Sequence, residues 1–162
     1  MKRFPLVALL VLTAATVAAF FIVQHLKVST PLLSGSPQPS PAEIDPLSTR
    51  TCYDRAHREN VGPRTVISFY LLHATDRVDV YIVDQAGARV ATVARHRFMR
   101  ASLYPHFDTK SFVWDGREQN GAVAPNGRYY FTVHLIHQDR YVTISDNNGP
   151  LPVTVNTAAH CA

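Results

Sequence analysis

Apolar and polar residues alternate with a period of two through most of the C-terminal two-thirds of this chain. Between residues 64 and 73, Ile67, Phe69 and Leu71 share one parity. Between 77 and 84, Val78, Val80 and Ile82 do the same, with Tyr81 and Val83 opposite them. Residues 88–95 offer Val90 and Val93 as core contacts, and 110–114 follow as a short run ending in Trp114. In 128–137, Tyr129, Phe131, Val133 and Leu135 take one face, leaving Arg128, Tyr130, Thr132 and His134 on the other. Runs at 141–145 and 151–156 complete the set. Alternation of this period puts successive side chains on opposite faces of an extended strand. Seven such strands with turn residues between them predict an all-β, antiparallel, two-sheet domain.

The first residues follow a different rule. Lys2 and Arg3 precede an uncharged stretch from Phe4 to Leu26 dominated by Leu, Val, Ala, Phe and Ile. A helix of about 20 apolar residues is long enough to span a bilayer. Residues 1–27 are therefore expected to form an uncleaved signal anchor, a single transmembrane helix. The alternative is a signal peptide cleaved near Val17-Ala18-Ala19, giving a secreted protein, but Phe20-Phe21-Ile22-Val23 extends the apolar run past that point. With Lys2 and Arg3 held in the cytoplasm, the remainder is expected outside it. Residues 28–50, carrying Pro31, Pro37, Pro39, Pro41 and Pro46 among Ser, Thr and Gly, read as an extended linker. The folded domain is placed at 51–162.

Charge does not change this picture. The chain carries 16 Lys and Arg against 12 Asp and Glu. Three of the cations, Lys2, Arg3 and Lys27, flank the apolar stretch, so the rest is nearly neutral. No nucleic-acid partner is expected from so small an excess.

The sequence Trp114-Asp115-Gly116-Arg117, followed by Gly121, Pro125, Gly127 and Tyr129, is a strand, a glycine-punctuated turn and a second strand opening on Gly-x-Tyr. This resembles the C-terminal half of the FlgD-type immunoglobulin-like domain, the family also written FlgD/Vpr. The run Val78-x-Val80-x-Ile82-x-Asp84-x-x-Gly87-x-x-Val90 resembles its first half. The resemblance covers roughly residues 64–145 and implies an immunoglobulin-like antiparallel β-sandwich of about seven strands with no catalytic role. Two segments depart from the family's pattern. Tyr53 to Asn60 is not the Asn/Gly/Asp-rich lead-in that is usual there, and Phe98 to Thr109 is longer and more aromatic than the usual turn.

The chain's two cysteines, Cys52 and Cys161, bracket the domain. In an oxidising compartment this spacing favours one disulfide joining its ends. No compact His spacing marks a metal site, and no cofactor is expected. Asp115 reads as a turn former, Trp114 as a core ring, and Asp146-Asn147-Asn148-Gly149 lacks the acids of a calcium loop. Ser68 and Ser111 lack a nucleophile-elbow context, so no enzyme activity is expected. The stretch with binding chemistry is Arg95, Arg97, Phe98, Arg100 and Tyr104, where cations and aromatics combine on what reads as a loop over 95–107.

Three functions follow as expectations. The first is a single-pass, membrane-anchored structural or interaction module of the bacterial cell envelope, whose partner is an envelope protein or glycan. The second is a binder of envelope glycan or another acidic polymer through 95–107. The third is a secreted accessory domain of a hydrolase system.

Overall fold

The computed structural model describes residues 4–29, 32–35, 37–55, 58–102 and 108–158. It contains two compact units, Met1–Pro31 and Leu32–Ala162. The first is the helix α1, Phe4–Ser29. Its side chains are described for residues 8–23, and all are exposed. Among the described residues no helix is long and apolar enough to cross a membrane. Residues 8–23 alone are shorter than the roughly 20 apolar residues a span requires, although the helical backbone itself runs for 26 residues.

The regular elements of the second unit are all β-strands among the described residues. In chain order its strands are β1 (Leu33–Ser34), β2 (Glu43–Ile44), β3 (Cys52–Asp54), β4 (Glu59–Gly62), β5 (Thr65–Leu71) and β6 (Asp76–Val83). There follow β7 (Arg89–Met99), β8 (Lys110–Trp114), β9 (Gly127–Leu135), β10 (Arg140–Thr143), β11 (Ser145–Asp146), β12 (Gly149–Pro150) and β13 (Pro152–Val155). A small sheet has the order β1-β5-β8. A large one has the order β3-β4-β2-β13-β9-β6-β7. β10 and β13 lie on successive halves of β9, pairing with Thr132–Leu135 and Gly127–Tyr130 respectively. The β11–β12 hairpin is thus an excursion from what would otherwise be one long strand.

The alternation read from the sequence sets which side chains meet. Ile67, Phe69 and Leu71 of β5, with Phe112 and Trp114 of β8, form the small sheet's inner layer. They share one buried cluster with Val78, Val80 and Ile82, Phe131, Val133 and Leu135, and Val153 and Val155 of the large sheet. Phe69 stacks on Phe112 with ring centroids 5.0 Å apart. Burying a side chain of this size contributes about 1.5–3 kcal/mol, which makes this shared layer the main stabilising feature of the fold.

The boundary expected at residue 51 is corrected. Most of the stretch read as a linker, 28–50, belongs to the folded unit from Leu32 onward. β1 pairs with β5, Ser40 bridges Val66, and β2 lies between β13 and β4, parallel to both. Leu32 and Ile44 join the core, Ile44 with no exposed surface. The reason is local. Two-residue strands are too short to produce a periodic signal, and prolines between them do not prevent pairing where no ladder N–H is required. The segment 53–60 also holds an unforeseen feature, the antiparallel pairing of β3 with β4, Tyr53 opposite Asn60 and Asp54 opposite Glu59. No described cysteine carries a free thiol. Cys161 lies outside the described residues.

Candidate binding surface

The basic stretch is largely a strand. Arg95, Arg97 and Phe98 lie on β7, which continues to Met99, and Arg100 follows directly. The expected loop therefore begins only after Met99. Tyr104 falls outside the described residues, as does the rest of 103–107. The part of the strand beyond Arg95 escaped sequence reading; the register against β6 shifts three times, between Val78 and Val80, Val80 and Tyr81, and Ile82 and Val83, and the first of these shifts falls between Arg97 and Ala94. Each shift inserts an extra residue and scrambles the alternation. β7 is also an edge of the large sheet. Bulges and cations are both devices that keep an edge from pairing with another chain.

One bulge builds the core of the surface. His96 has φ 51°, a left-handed conformation uncommon for a residue with a side chain. Its N–H donates to Asp79 Oδ1 at 2.6 Å, and its ring Nδ1 lies 3.7 Å from the same oxygen. Asp79 also accepts from the Tyr81 hydroxyl at 2.7 Å. Across the outer face of the large sheet, Asp79 pairs with His134, and His134 with Tyr141. The His134 and Tyr141 rings stack at 4.1 Å, nearly parallel. Tyr141 is 61% exposed. His134 Nε2 is buried without a hydrogen bond among the described residues and sits 3.5 Å from Asp139. Beside this row, the Arg89 guanidinium covers the Tyr81 ring at 3.6 Å. The result is a face of aromatic rings and charges on four adjacent strands.

Burial pushes the Asp79 carboxyl up. The donated hydrogen bonds of His96 and Tyr81 and the nearby His96 and His134 rings outweigh it and hold the group below its usual range. Tyr81 moves the other way, raised first by burial and then by its bond to the Asp79 carboxylate, with Arg89 opposing. A second carboxylate, Asp76, is wholly buried at the start of β6. It accepts from the Arg77 N–H at 2.6 Å and from the His137 N–H and ring Nδ1 at 2.9 and 2.7 Å. These bonds fasten the β9–β10 turn to β6. They lower Asp76 despite a burial effect in the opposite direction.

Arg95, Arg97 and Arg100 are exposed, as is Phe98 at 49%. Arg77 pairs with Phe98 across the strands and adds a further exposed cation. The nearby Asp108 is occupied. It accepts from the Arg100 N–H and pairs with Lys110 at 2.6 Å. The Lys110 bond is the first cause of its lowered pKa, with burial opposing and the Arg100 N–H assisting.

The motif residues lie elsewhere and are architectural. Trp114 is 3% exposed, donates Nε1–H to the Arg117 carbonyl at 2.8 Å, and meets Tyr129 edge to face. Asp115 Oδ1 accepts from the Arg117 N–H at 3.2 Å, which is the turn role expected of it. Gly116 has φ 72°, and a Cβ there would collide with the Pro46 ring. Gly121, at φ 85°, closes the next bend, while Gly127 opens β9 without a positive φ. The Tyr129 hydroxyl bonds the Pro125 carbonyl at 2.7 Å. Asp146 Oδ1 caps the Asn148 N–H as a turn former.

Sequence reading missed Asp76, Asp79 and the His96 bulge. A signal for Asp76 was present, since it shares the parity of Val78, Val80 and Ile82 and so points into the core. Among the described residues, no group of three or more His, Cys, Asp or Glu is placed to hold a metal ion. No protein-family model and no curated protein matches this chain.

Proposed function

We propose that this chain is a non-catalytic, immunoglobulin-like interaction module of the FlgD type, held at the cell membrane by α1 and presented to an acidic partner in the bacterial envelope. The observation that carries the reading is the edge strand β7. It exposes Arg95, Arg97 and Phe98, with Arg100 just beyond, while the nearby carboxylates Asp79 and Asp108 are engaged by His96 and Tyr81 and by Lys110. Fixed cations next to an exposed ring attract acidic groups by charge and stacking. The test uses the full chain in detergent micelles, with polyglutamate and a sulfated dextran as probes and neutral dextran as control. Replacing Arg95, Arg97 and Arg100 together by Ser should leave the fold intact and weaken binding by about tenfold or more, with the difference shrinking as salt rises. Equal binding by the triple variant sinks the reading.

A second reading, an acidic-glycan binder, draws on the exposed Tyr141 ring stacked on His134. Preference for sulfated dextran over polyglutamate, lost in Tyr141→Ala, would favour it.

The same proposal places the N-terminus in the cytoplasm and the β unit outside, with Cys52 joined to Cys161 in one chain. Support comes from the uncharged run from Phe4 to Leu26 in the sequence, which lies on α1, and the absence of a free thiol at Cys52. Protease added to spheroplasts should remove the β unit, and thiol labelling without reductant should find no free cysteine. Full protection of the unit, or two reactive thiols, contradicts this part.

A further inference from the structure

The two sheets leave one flank open, where the edge of β7 in the large sheet runs near the edge of β8 in the small one. The two edges are finished differently. β7 is bulged, and Gln119 lies along it as a partner strand would. The Gln119 N–H donates to the Val90 carbonyl at 3.0 Å, and its side-chain oxygen accepts from the Thr92 N–H at 3.1 Å. β8 is regular, pairs with β5 alone, and has no partner on its other side among the described residues.

The backbone polarity of that free edge follows from β5. Val66 exchanges both backbone bonds with Ser40 at 3.0 Å, and the Leu72 N–H donates to Leu32. Even-numbered residues of β5 therefore point their peptide groups toward the β1 side. Leu71 is odd and accepts from the Ser102 N–H on the opposite side. In an antiparallel pair, opposed residues alternate between those that exchange hydrogen bonds and those that do not. Thr65–Trp114, Ile67–Phe112 and Phe69–Lys110 are then the bonded pairs of β5 and β8. Val66–Val113 and Ser68–Ser111 are the unbonded ones. Ser111 and Val113 consequently present their N–H and C=O groups outward, about 7 Å apart, the repeat of a paired strand. Val113 is also 46% exposed.

The space beside this edge is a groove of about 480 Å³, with Ala91 and Val93 on one wall and Val113 and Trp114 on the other. The exposed Arg64 also lines it together with Arg117, Asp115 and Glu118, and the charges of these four balance. The charge excess comes from β7, which continues past Val93 to Arg95 and Arg97. No ion pair engages either of these two among the described residues.

We infer that β8 is a docking edge for an extended acidic peptide, which adds as a fourth strand to the small sheet and sets carboxylates toward Arg95, Arg97 and Arg64. This rests on the acidic-partner reading above and narrows it to a peptide recognised through its backbone. In such strand addition the main-chain bonds supply affinity and alternate side chains supply selectivity.

The probe is a capped seven-residue peptide alternating Val and Glu, titrated into the full chain in detergent micelles. It is also made N-methylated at every second residue, in each of the two possible registers, and with Lys in place of Glu. One N-methylated register should bind like the parent. The other should bind at least about tenfold more weakly, because each methyl removes a donor facing Ser111 or Val113. Amide exchange at Ser111 and Val113 should slow on binding the parent, and the Lys peptide should bind more weakly than the Glu peptide. Tolerance of methylation in both registers, or no binding of the parent peptide, overturns strand addition. If polyglutamate still binds in an Arg-dependent manner in either case, the acidic-partner reading stands alone. If methylation blocks binding in one register while the triple Arg variant binds the peptide unchanged, strand addition stands and the cationic cluster is not its source of selectivity.

Discussion

Asp76 and Asp79 lie on one strand three residues apart, one at core parity and one on the outer face, and both are kept ionised by donated hydrogen bonds. Each has a lowered pKa, and so does Asp108. A carboxyl depressed in the folded state stabilises the fold at pH values above its unfolded pKa. That contribution is lost as pH falls through the folded value. Stability should therefore be level above about pH 5 and fall below about pH 4, where unfolded carboxylates take up protons. Replacing Asp76 by Asn leaves the His137 and Arg77 donors with a neutral acceptor. It should cost about 2 kcal/mol or more at neutral pH, and it should make the acid-side fall shallower. Denaturant unfolding followed by the fluorescence of Trp114, the chain's one tryptophan, reports both effects. An unchanged acid slope in Asp76→Asn would assign the pH dependence to other groups.

At the level of elements, legibility tracked the strength of local order. The ends of β5, β6, β8 and β9 lie within two residues of where alternation put them, because each buries one full face. Alternation carries β7 only to residue 95 and leaves 95–107 as a loop. One extra residue between Arg97 and Ala94 breaks its period at that point, and neither face of 95–98 is buried. β1 and β2 were invisible, since two residues carry no period at all. The candidate surface was therefore half legible. Its cations stand out in composition, but the His96 bulge among them is held by Asp79, and the row of Asp79, His134 and Tyr141 beside it draws on three other stretches of chain. Only the register of β6, β9 and β10 brings those together.

For the molecule as a whole, the position of the N-terminal segment decides what can fold. β2 is the strand that joins the β3–β4 pair to the rest of the large sheet, and Ile44 fills the core beneath it. A fragment starting at residue 48 loses β1, β2, Leu32 and Ile44 together. Each large apolar side chain removed from a core costs about 2–5 kcal/mol, and a domain's whole stability is about 5–15 kcal/mol. The 48–162 fragment should thus show no cooperative unfolding transition, whereas 32–162 should. Circular dichroism during thermal denaturation separates the two, and a cooperative 48–162 fragment would show that β2 is dispensable.

The same insertion has a mechanical meaning. Tension on the chain ahead of Leu32 first meets β1, whose two residues pair with β5 alone and peel away one bond at a time. It then meets the two bonds of the Ser40–Val66 bridge and, after them, β2, held by parallel neighbours on both sides. There the load runs along the strands and must break several bonds at once. A pull on the chain ahead of Leu32 is therefore resisted inside the large sheet, and the first event under force is release of a short slack segment with the rest of the unit still folded.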